Sequence, residues 1–141
     1  MTRKKWYKMS YTIIEGTENI ALDEVMPLLS QTYWASDRPR EVVERSMKSS
    51  QCYGVRSETG KLVGFARVIT DFATNLYLCD VIIDSAHRGC GLGKALVSYV
   101  LSADEYKGLK GLLMTKDAHW LYEKYGFKAA EKRVMIREVD Y

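Results

Sequence analysis

A chain of 141 residues is long enough to bury one hydrophobic core and too short for two ordinary domains, which predicts a single domain, 1–141. Hydrophobic residues make up 47% and charged residues 28%, and the formal net charge of +3 gives no case for nucleic-acid binding. The three cysteines have no C-x-x-C spacing, which predicts free thiols in a reducing cytoplasm. The sequence has no apolar run of about 18 residues, so no membrane span is expected. Residues 1–9 are expected to form a flexible basic N-terminus.

The first part of the chain predicts one strand followed by two helices. A β-branched and aromatic run favours a strand at 11–15. Apolar residues at three- and four-residue spacing then indicate a helix from about residue 22 to 31, with Asp23 or a close neighbour as its cap, because Pro27 is best tolerated in a first turn. A second helix is expected to begin around residues 36–39, with a capping residue just before Pro39.

From residue 51 the apolar period changes to two, which predicts a strand meander. Strands at 51–56 and 61–69 form a β-hairpin around a turn at 57–60. A third strand, 76–83, is almost continuously apolar and is therefore expected near the centre of the sheet. An amphipathic helix is expected over 92–100.

The end of the chain predicts a short buried strand at 111–114, a helix that is capped by Asp117 and runs through Lys124, and a last strand or strand pair over 132–139. The order of elements is strand, two helices, strand meander, helix, strand, helix and strand. This order predicts a single α/β or α+β domain with a mixed sheet.

Three glycines in five residues lie between the third strand of the meander and the next helix, at Gly89, Gly91 and Gly93. Glycine permits positive φ and close backbone approach, and the first turn of a helix offers unpaired N–H groups. The stretch therefore predicts a phosphate- or pyrophosphate-binding loop. The dinucleotide pattern fails because Leu96 stands where its third glycine belongs, and the P-loop pattern fails because Ala95 leaves no hydroxyl for magnesium.

The loop reads Arg88-x-x-Gly91-x-Gly93 and resembles the pyrophosphate loop of the GNAT superfamily of acyl-CoA-dependent N-acetyltransferases. Residues 118–127 are similar to the Ala-x-x-x-Tyr-x-x-x-Gly-Phe segment of the same family. The resemblance implies the GNAT fold, with a mixed, mostly antiparallel sheet of about six to seven strands, splayed central strands and about four flanking helices. It also implies acetyl-CoA as the co-substrate.

The resemblance further implies that main-chain groups hold acetyl-CoA. In the family, the end of the central strand pairs with the pantetheine arm and the glycine loop binds the pyrophosphate. Thr115 stands where the family often has an asparagine that contacts the cofactor arm. The expected cofactor-binding residues are Val81, Ile82, Ile83, Arg88, Gly89, Cys90, Gly91, Leu92, Gly93, Lys94, Thr115 and Tyr122.

Acetylation of an amine needs a neutral nitrogen and a proton for the departing thiolate. Tyr122 matches the family's tyrosine, which implies a general acid, although a packed helix aromatic is the alternative. Asp80 lies within the central strand and is open to two interpretations, as a base or ammonium anchor, or as a structural hydrogen-bonded acid. Tyr77 occupies the position at which some family members carry a glutamate base.

The acceptor pocket is expected between the connection of the first two helices and the strand-meander turn. Strand alternation places Tyr77 and Cys79 on one face and Asp80 on the other, unless the bulge that is a feature of the family intervenes. The residues expected to bind the acceptor are Tyr33, Trp34, Asp37, Asp71 and Cys79, with Arg38 and Phe72 beside them.

These features predict an N-acetyltransferase that moves an acetyl group from acetyl-CoA directly to a primary amine of a small molecule or peptide. The alternative is a non-catalytic acyl-CoA-binding sensor or interaction domain. No metal is expected, because His87 and His119 lack metal-ligand spacing. Neither nucleic acid nor membrane is expected as a partner, and a homodimer is left open.

Overall fold

The computed structural model of the protein describes residues 5–7 and 10–141. Strands and helices follow one another in the predicted order as far as residue 123. The strands are β1 (Lys5–Tyr7), β2 (Tyr11–Glu15), β3 (Gln51–Ser57), β4 (Leu62–Thr70), β5 (Asn75–Ile83) and β6 (Lys110–Leu113), and the helices are α1 (Leu22–Leu29), α2 (Arg40–Lys48), α3 (Leu92–Leu101) and α4 (His119–Glu123).

The described strands form one mixed sheet in the order β1-β2-β3-β4-β5-β6. Neighbouring strands are antiparallel except β5 and β6, which run parallel because α3 carries the chain back across the sheet between them. Five strands have four or more residues, and the three-residue β1 lies at the edge. The expected α+β class with a mixed sheet and four helices is confirmed, and the strand count is at the lower limit of the expected six to seven, or five if the three-residue β1 is left out.

The two ends of the chain differ from the sequence-based expectation. The predicted strand at 132–139 is wrong, because residues 128–141 are exposed and have no regular secondary structure. Residues of high strand propensity form a strand only where a neighbour supplies packing and backbone partners. Within the segment 1–9, Lys5–Tyr7 form β1, and the remainder of that segment lies outside the described residues.

Helix α1 begins without the expected cap. The N–H of Ala21 donates to Glu24 Oε1 at 3.1 Å, so Glu24 caps the helix. Asp23 instead forms an exposed ion pair with Arg40 at the start of α2. Pro27 therefore lies inside the helix and not in its first turn.

Two hydrophobic cores cover the two faces of the sheet. Helices α1 and α2 cover one face, hereafter the α1/α2 face, and helices α3 and α4 cover the other, the α3/α4 face. The fully buried side chains of the α1/α2 core include Val25, Leu29, Val43 and Phe65, and those of the α3/α4 core include Val63, Val68, Leu96, Val97 and Val100.

Candidate active site

Strand β5 carries a bulge at Asp80. Cys79 pairs with Arg67 of β4 before the bulge, and Ile82 pairs with Phe65 after it, so two residues of β5 lie opposite one residue of β4. The φ of Asp80 is +55°, a left-handed conformation that aspartate adopts more readily than most residues. The bulge that the family resemblance implied is therefore present.

The bulge changes which side chains share a face. Leu78 packs in the α3/α4 core before the bulge and Ile83 packs there after it, so the alternation along β5 shifts by one residue. Asp80 consequently lies on the α1/α2 face together with Tyr77 and Cys79. Simple strand alternation, which separates Asp80 from these two residues, is wrong here because of the extra residue.

The carboxylate of Asp80 is buried and accepts three hydrogen bonds. Arg38 Nη1 donates to Oδ2 at 2.8 Å, Arg67 Nε donates to Oδ2 at 3.0 Å, and Trp34 Nε1 donates to Oδ1 at 3.1 Å. Arg67 Nη1 also donates to Ser50 Oγ at 2.9 Å. We call Asp80, Arg38, Arg67 and Trp34 the Asp80 cluster.

The electrostatics of this cluster decide between the two interpretations of Asp80. Burial by itself raises the pKa of the carboxyl, but the charges and hydrogen bonds of Arg67 and Arg38 outweigh burial and hold the pKa below its ordinary value. A carboxylate with this many donors is a poor proton acceptor at neutral pH. The arrangement favours the structural, hydrogen-bonded acid over a catalytic base.

Strands β5 and β6 separate where the bulge begins. Their parallel pairing ends at Leu78 and Leu113, and residues 79–83 have no strand partner on that side of the described sheet. Backbone N–H and C=O groups on this side are available to an extended ligand. Val81 is half-buried, and Ile82 and Ile83 are buried, which fixes this backbone between the two cores.

The glycine loop follows at the end of β5. Gly89 and Gly91 have φ values of +86° and +85°, and Gly91 directly precedes the first residue of α3. A Cβ on Gly89 would meet no atom within 4 Å, so the left-handed backbone and not crowding calls for glycine there. Arg88 Nε donates to the carbonyl of Ile83 at 2.9 Å and ties the loop back to β5. The first turn of α3 lies next to the end of β5, where a Cβ on Gly93 would stand 3.7 Å from Ile83 Cγ1.

The remaining loop residues divide into anchors and exposed groups. Leu92 is buried in the α3/α4 core and fixes the start of α3. The Cys90 thiol donates to the carbonyl of His87 at 3.3 Å. Gly93 and Lys94 lie in the first turn of α3, and Lys94 is exposed, where its charge can meet an anion.

Tyr122 lies in α4 with its ring buried against the same core. The ring packs edge to face on Phe127, with 6.2 Å between centroids. The Tyr122 hydroxyl makes no hydrogen bond within residues 10–141. Every buried side-chain oxygen in that range has a partner, so the unpartnered Tyr122 hydroxyl is accessible to solvent. Burial, and less strongly the charge of Asp117, raises the pKa of Tyr122, so it stays protonated at neutral pH.

Thr115 caps the turn that leads into α4. Its Oγ1 accepts a hydrogen bond from the N–H of Ala118 at 3.0 Å, whereas α4 itself has no side-chain cap, so the expected cap by Asp117 does not form. The hydroxyl hydrogen of Thr115 remains free to donate.

Tyr77 and Cys79 are half-buried beside the Asp80 cluster. Burial raises the pKa of the Cys79 thiol to about 12, which leaves it protonated at neutral pH. Burial, followed by the charges of Cys79 and Asp80, also raises the pKa of Tyr77. Neither side chain is an anionic nucleophile or a general base in this state.

The connection between α1 and α2 supplies an aromatic pair next to the Asp80 cluster. Tyr33 and Trp34 meet edge to face, with 5.0 Å between ring centroids, and both are exposed. Lys116 Nζ lies 5.2 Å from the centroid of the Tyr33 ring. This contact joins the α1–α2 connection to the segment between β6 and α4. The structure therefore brings together the expected residues Tyr33, Trp34, Tyr77 and Cys79.

Two expected acceptor residues, Asp37 and Asp71, form no hydrogen bond or ion pair with the Asp80 cluster. Asp71 caps the turn between β4 and β5, where its carboxylate accepts hydrogen bonds from the backbone of Ala73, Thr74 and Asn75. These bonds, led by the one from the Thr74 hydroxyl, lower its pKa strongly and engage both carboxylate oxygens within the turn. Asp37 is exposed and has no hydrogen bond or ion pair among the described side chains.

Arg67 is a site residue that sequence reasoning missed. It lies in the middle of the apolar strand β4, with its side chain 10% exposed. An arginine surrounded by apolar strand residues is a signal for a buried ion pair, because an unpaired guanidinium would be costly there. The sequence alone does not identify its partner.

Searches for two other kinds of site gave no candidates. Within the described residues, no three or more histidine, cysteine, aspartate or glutamate side chains are grouped to hold a metal ion. In the same part of the chain, no helix has the length and apolar character needed to cross a membrane.

Comparison with known proteins identifies relatives for most of the chain. The family model described as acetyltransferase (GNAT) domain matches residues 48–129. The chain is 33% identical to an uncharacterized N-acetyltransferase ycf52-like of Prochlorococcus marinus over 112 residues, which cover 76% of this chain and 62% of that protein. It is also 33% identical to the chloroplastic GCN5-related N-acetyltransferase 2 of Arabidopsis thaliana over 78 residues, which cover 54% of this chain and 30% of that protein. The chain thus spans less than two thirds of the length of both relatives.

A solved structure gives the same result for the fold. A protein of the GNAT family from Xanthomonas campestris pv. campestris superposes with a TM-score of 0.81 at 38% identity. The superposition covers 90% of this chain and 93% of that one.

Proposed function

Because the chain belongs to the GNAT family of acetyltransferases, we propose that it transfers an acetyl group from acetyl-CoA directly to a primary amine of a small molecule or peptide. The observation that carries this proposal is that the glycine loop and the first turn of α3 follow directly on the stretch of β5 that has no strand partner on the β6 side of the described sheet. An extended ligand with a pyrophosphate at one end fits that combination.

We propose that acetyl-CoA, the acetyl donor, is bound mainly by backbone groups of this chain. The N–H groups at Gly89 and Gly91 and in the first turn of α3 bind the pyrophosphate, with Lys94 as a nearby cation. The free backbone edge of β5 at 81–83 pairs with the amide groups of the pantetheine arm. Bound acetyl-CoA supplies a thioester carbonyl that an amine can attack.

Tyr122 is the proposed general acid. Its hydroxyl is protonated, reaches the surface and has no competing partner among the described side chains. It can therefore give its proton to the thiolate sulfur as the C–S bond breaks. A side chain held by a buried ring keeps the hydroxyl in one place while this happens.

The acceptor amine has to attack as the free base. The Asp80 carboxylate is committed to two guanidinium groups, and Cys79 and Tyr77 are protonated, so these three groups do not serve as a base at neutral pH. The protonated thiol of Cys79 also supports direct transfer over an acyl-enzyme on sulfur. The nitrogen then loses its extra proton to solvent.

Turnover separates this proposal from the alternative of a non-catalytic acyl-CoA-binding domain. Purified protein is mixed with acetyl-CoA and a panel of primary amines, and the release of free CoA is followed with a thiol reagent. Acetyl-CoA binding is measured in parallel by calorimetry. Binding with amine-dependent CoA release supports the enzyme, whereas binding without any release supports the sensor.

We also propose that the protein works in the cytoplasm, where acetyl-CoA is available and its three free thiols stay reduced.

A further inference from the structure

The Asp80 cluster contains two guanidinium groups and a single carboxylate. The side chains of Arg38, Arg67 and Asp80 are 15%, 10% and 2% exposed, so the surplus positive charge is only partly hydrated. A charge in such surroundings is costly unless a counter-ion meets it. The side chains of the cluster therefore carry a net positive charge among themselves, and outside the cluster Tyr141 interacts with Arg38 more weakly than Asp80 does.

The two arginines differ in how they are held. Arg67 donates to both Asp80 and Ser50. Arg38 donates to Asp80 through Nη1 alone and has no further hydrogen bond or ion pair within residues 10–141. Every buried side-chain nitrogen in this part of the chain has a hydrogen-bond partner. The remaining N–H groups of Arg38 have no partner, so they are accessible to solvent. Burial lowers the pKa of Arg38, but Asp80, and less strongly Tyr141, raises it overall, so the group is charged.

The free N–H groups of Arg38 belong to the surface on which the acceptor is expected. Asp80, which Arg38 contacts, directly follows Cys79 on the bulged strand. Trp34 donates to the same carboxylate and meets Tyr33, whose ring lies under Lys116 Nζ. We call Tyr33, Trp34, Arg38 and Lys116 the acceptor wall. It combines two aromatic rings with two cations.

We propose that the amine acceptor carries an acidic group, a carboxylate or a phosphate, and that the free N–H groups of Arg38 bind it. This inference rests on the proposed acetyl transfer and names the class of its acceptor. A planar guanidinium pairs with either oxyanion through two parallel hydrogen bonds. The acidic group supplies the charge that the Asp80 cluster lacks, and Lys116 adds a second attraction for it.

The same charge also favours reaction at the nitrogen. A positive environment lowers the pKa of a nearby amine because it disfavours the ammonium form. The acceptor wall therefore attracts the acidic end of the acceptor and releases a proton from the amine end. This effect compensates for the lack of a free carboxylate beside Tyr77 and Cys79.

Matched pairs of acceptors test the inference. Glucosamine 6-phosphate is compared with glucosamine for the phosphate arm, and amino acids are compared with their C-terminal amides for the carboxylate arm. The wild-type protein is expected to acetylate the acidic member of at least one pair about tenfold or more faster, in kcat/KM, because charge-assisted hydrogen bonds contribute that much. The arm that shows the preference identifies the acidic group.

Substitution of Arg38 assigns the preference to that residue. Arg38→Gln is expected to remove the preference by raising KM for the acidic acceptor, and Arg38→Lys is expected to retain part of it. Arg40→Gln is the matched control, because Arg40 is an exposed arginine at the start of α2 that pairs with Asp23 and lies outside the Asp80 cluster. It should leave the preference unchanged.

The outcomes separate this inference from the proposed function. If acetyl-CoA does not bind, or no amine of any kind releases CoA, the proposed function fails. If neutral amines are acetylated as fast as acidic ones, or if Arg38→Gln keeps the full preference, the acidic acceptor is refuted while acetyl transfer stands. A preference that Arg38→Gln abolishes and Arg40→Gln retains supports the inference.

Discussion

Neutralising Asp80 tests the charge balance on which the acceptor wall depends. Asparagine has the same size and tolerates the left-handed φ of +55° at this position, so Asp80→Asn removes the charge without adding backbone strain. It leaves Arg38 and Arg67 close together without a shared anion. We expect the free energy of unfolding to fall by about 3–5 kcal/mol, the range for removing one partner of a buried ion pair.

The measurement is urea-induced unfolding followed by tryptophan fluorescence. Asp23→Asn is the matched control, because it removes a carboxylate that pairs with Arg40 while its side chain is 79% exposed. Surface pairs of this kind contribute at most about 1 kcal/mol. The reasoning is refuted if Asp80→Asn destabilises the protein no more than Asp23→Asn.

The stability contributed by Asp80 also depends on pH in a defined direction. The folded-state pKa of Asp80 lies below its ordinary value, which is near about 3.9 in the unfolded chain. The contribution is therefore fully present above that value and is lost as the pH falls through the folded-state pKa. The difference in unfolding free energy between wild type and Asp80→Asn should be constant near neutral pH and shrink in acid, and a difference that grows in acid would contradict this assignment.

Three further predictions concern the donor side and the chemistry. Tyr122→Phe is expected to lower kcat by about 10²–10⁴ with little change in the acetyl-CoA dissociation constant, and unchanged turnover would remove Tyr122 from the mechanism. Gly91→Val is expected to abolish acetyl-CoA binding in calorimetry, because φ is +85° there and the backbone must approach the pyrophosphate; Gly60→Val, at φ +87° in a hairpin turn, should strain the fold yet leave binding intact. Cys79→Ser is expected to keep most of its turnover, and a complete loss with normal acetyl-CoA binding would favour an acyl-enzyme on the thiol.

Local pattern was sufficient for most elements and for the backbone form of the glycine loop. The period-two runs of β3 and β4 and the apolar run of β5 appear as strands, because each is long enough for its pattern to be unambiguous. The glycine loop was predicted because positive φ and a helix start leave a direct signature in residue type. The exposed segment 128–141 shows the limit of this reasoning, since its strand propensity has no neighbouring strand to act upon.

The acceptor half could not be predicted in this way. One extra residue in β5 reverses the face of every side chain beyond it, and although the family resemblance implied such a bulge, the pairing with β4 is what places it at Asp80. Asp71 and Asp80 were both site candidates in the sequence. In the structure the Asp71 carboxylate accepts hydrogen bonds from its own turn, whereas the Asp80 carboxylate accepts them from Arg38 and Arg67.

The sequence by itself determined the order of elements, the anion-binding loop and the tyrosine behind it, because each depends on residues that are neighbours in the chain. The tertiary structure alone decided that Arg38, Arg67 and Asp80 meet, since they come from the α1–α2 connection, β4 and β5. Charges that are distant in sequence interact only after the sheet has formed and water has been excluded between them. For that reason the proposed donor follows from sequence motifs, whereas the proposed acidic acceptor depends on contacts that only the fold creates.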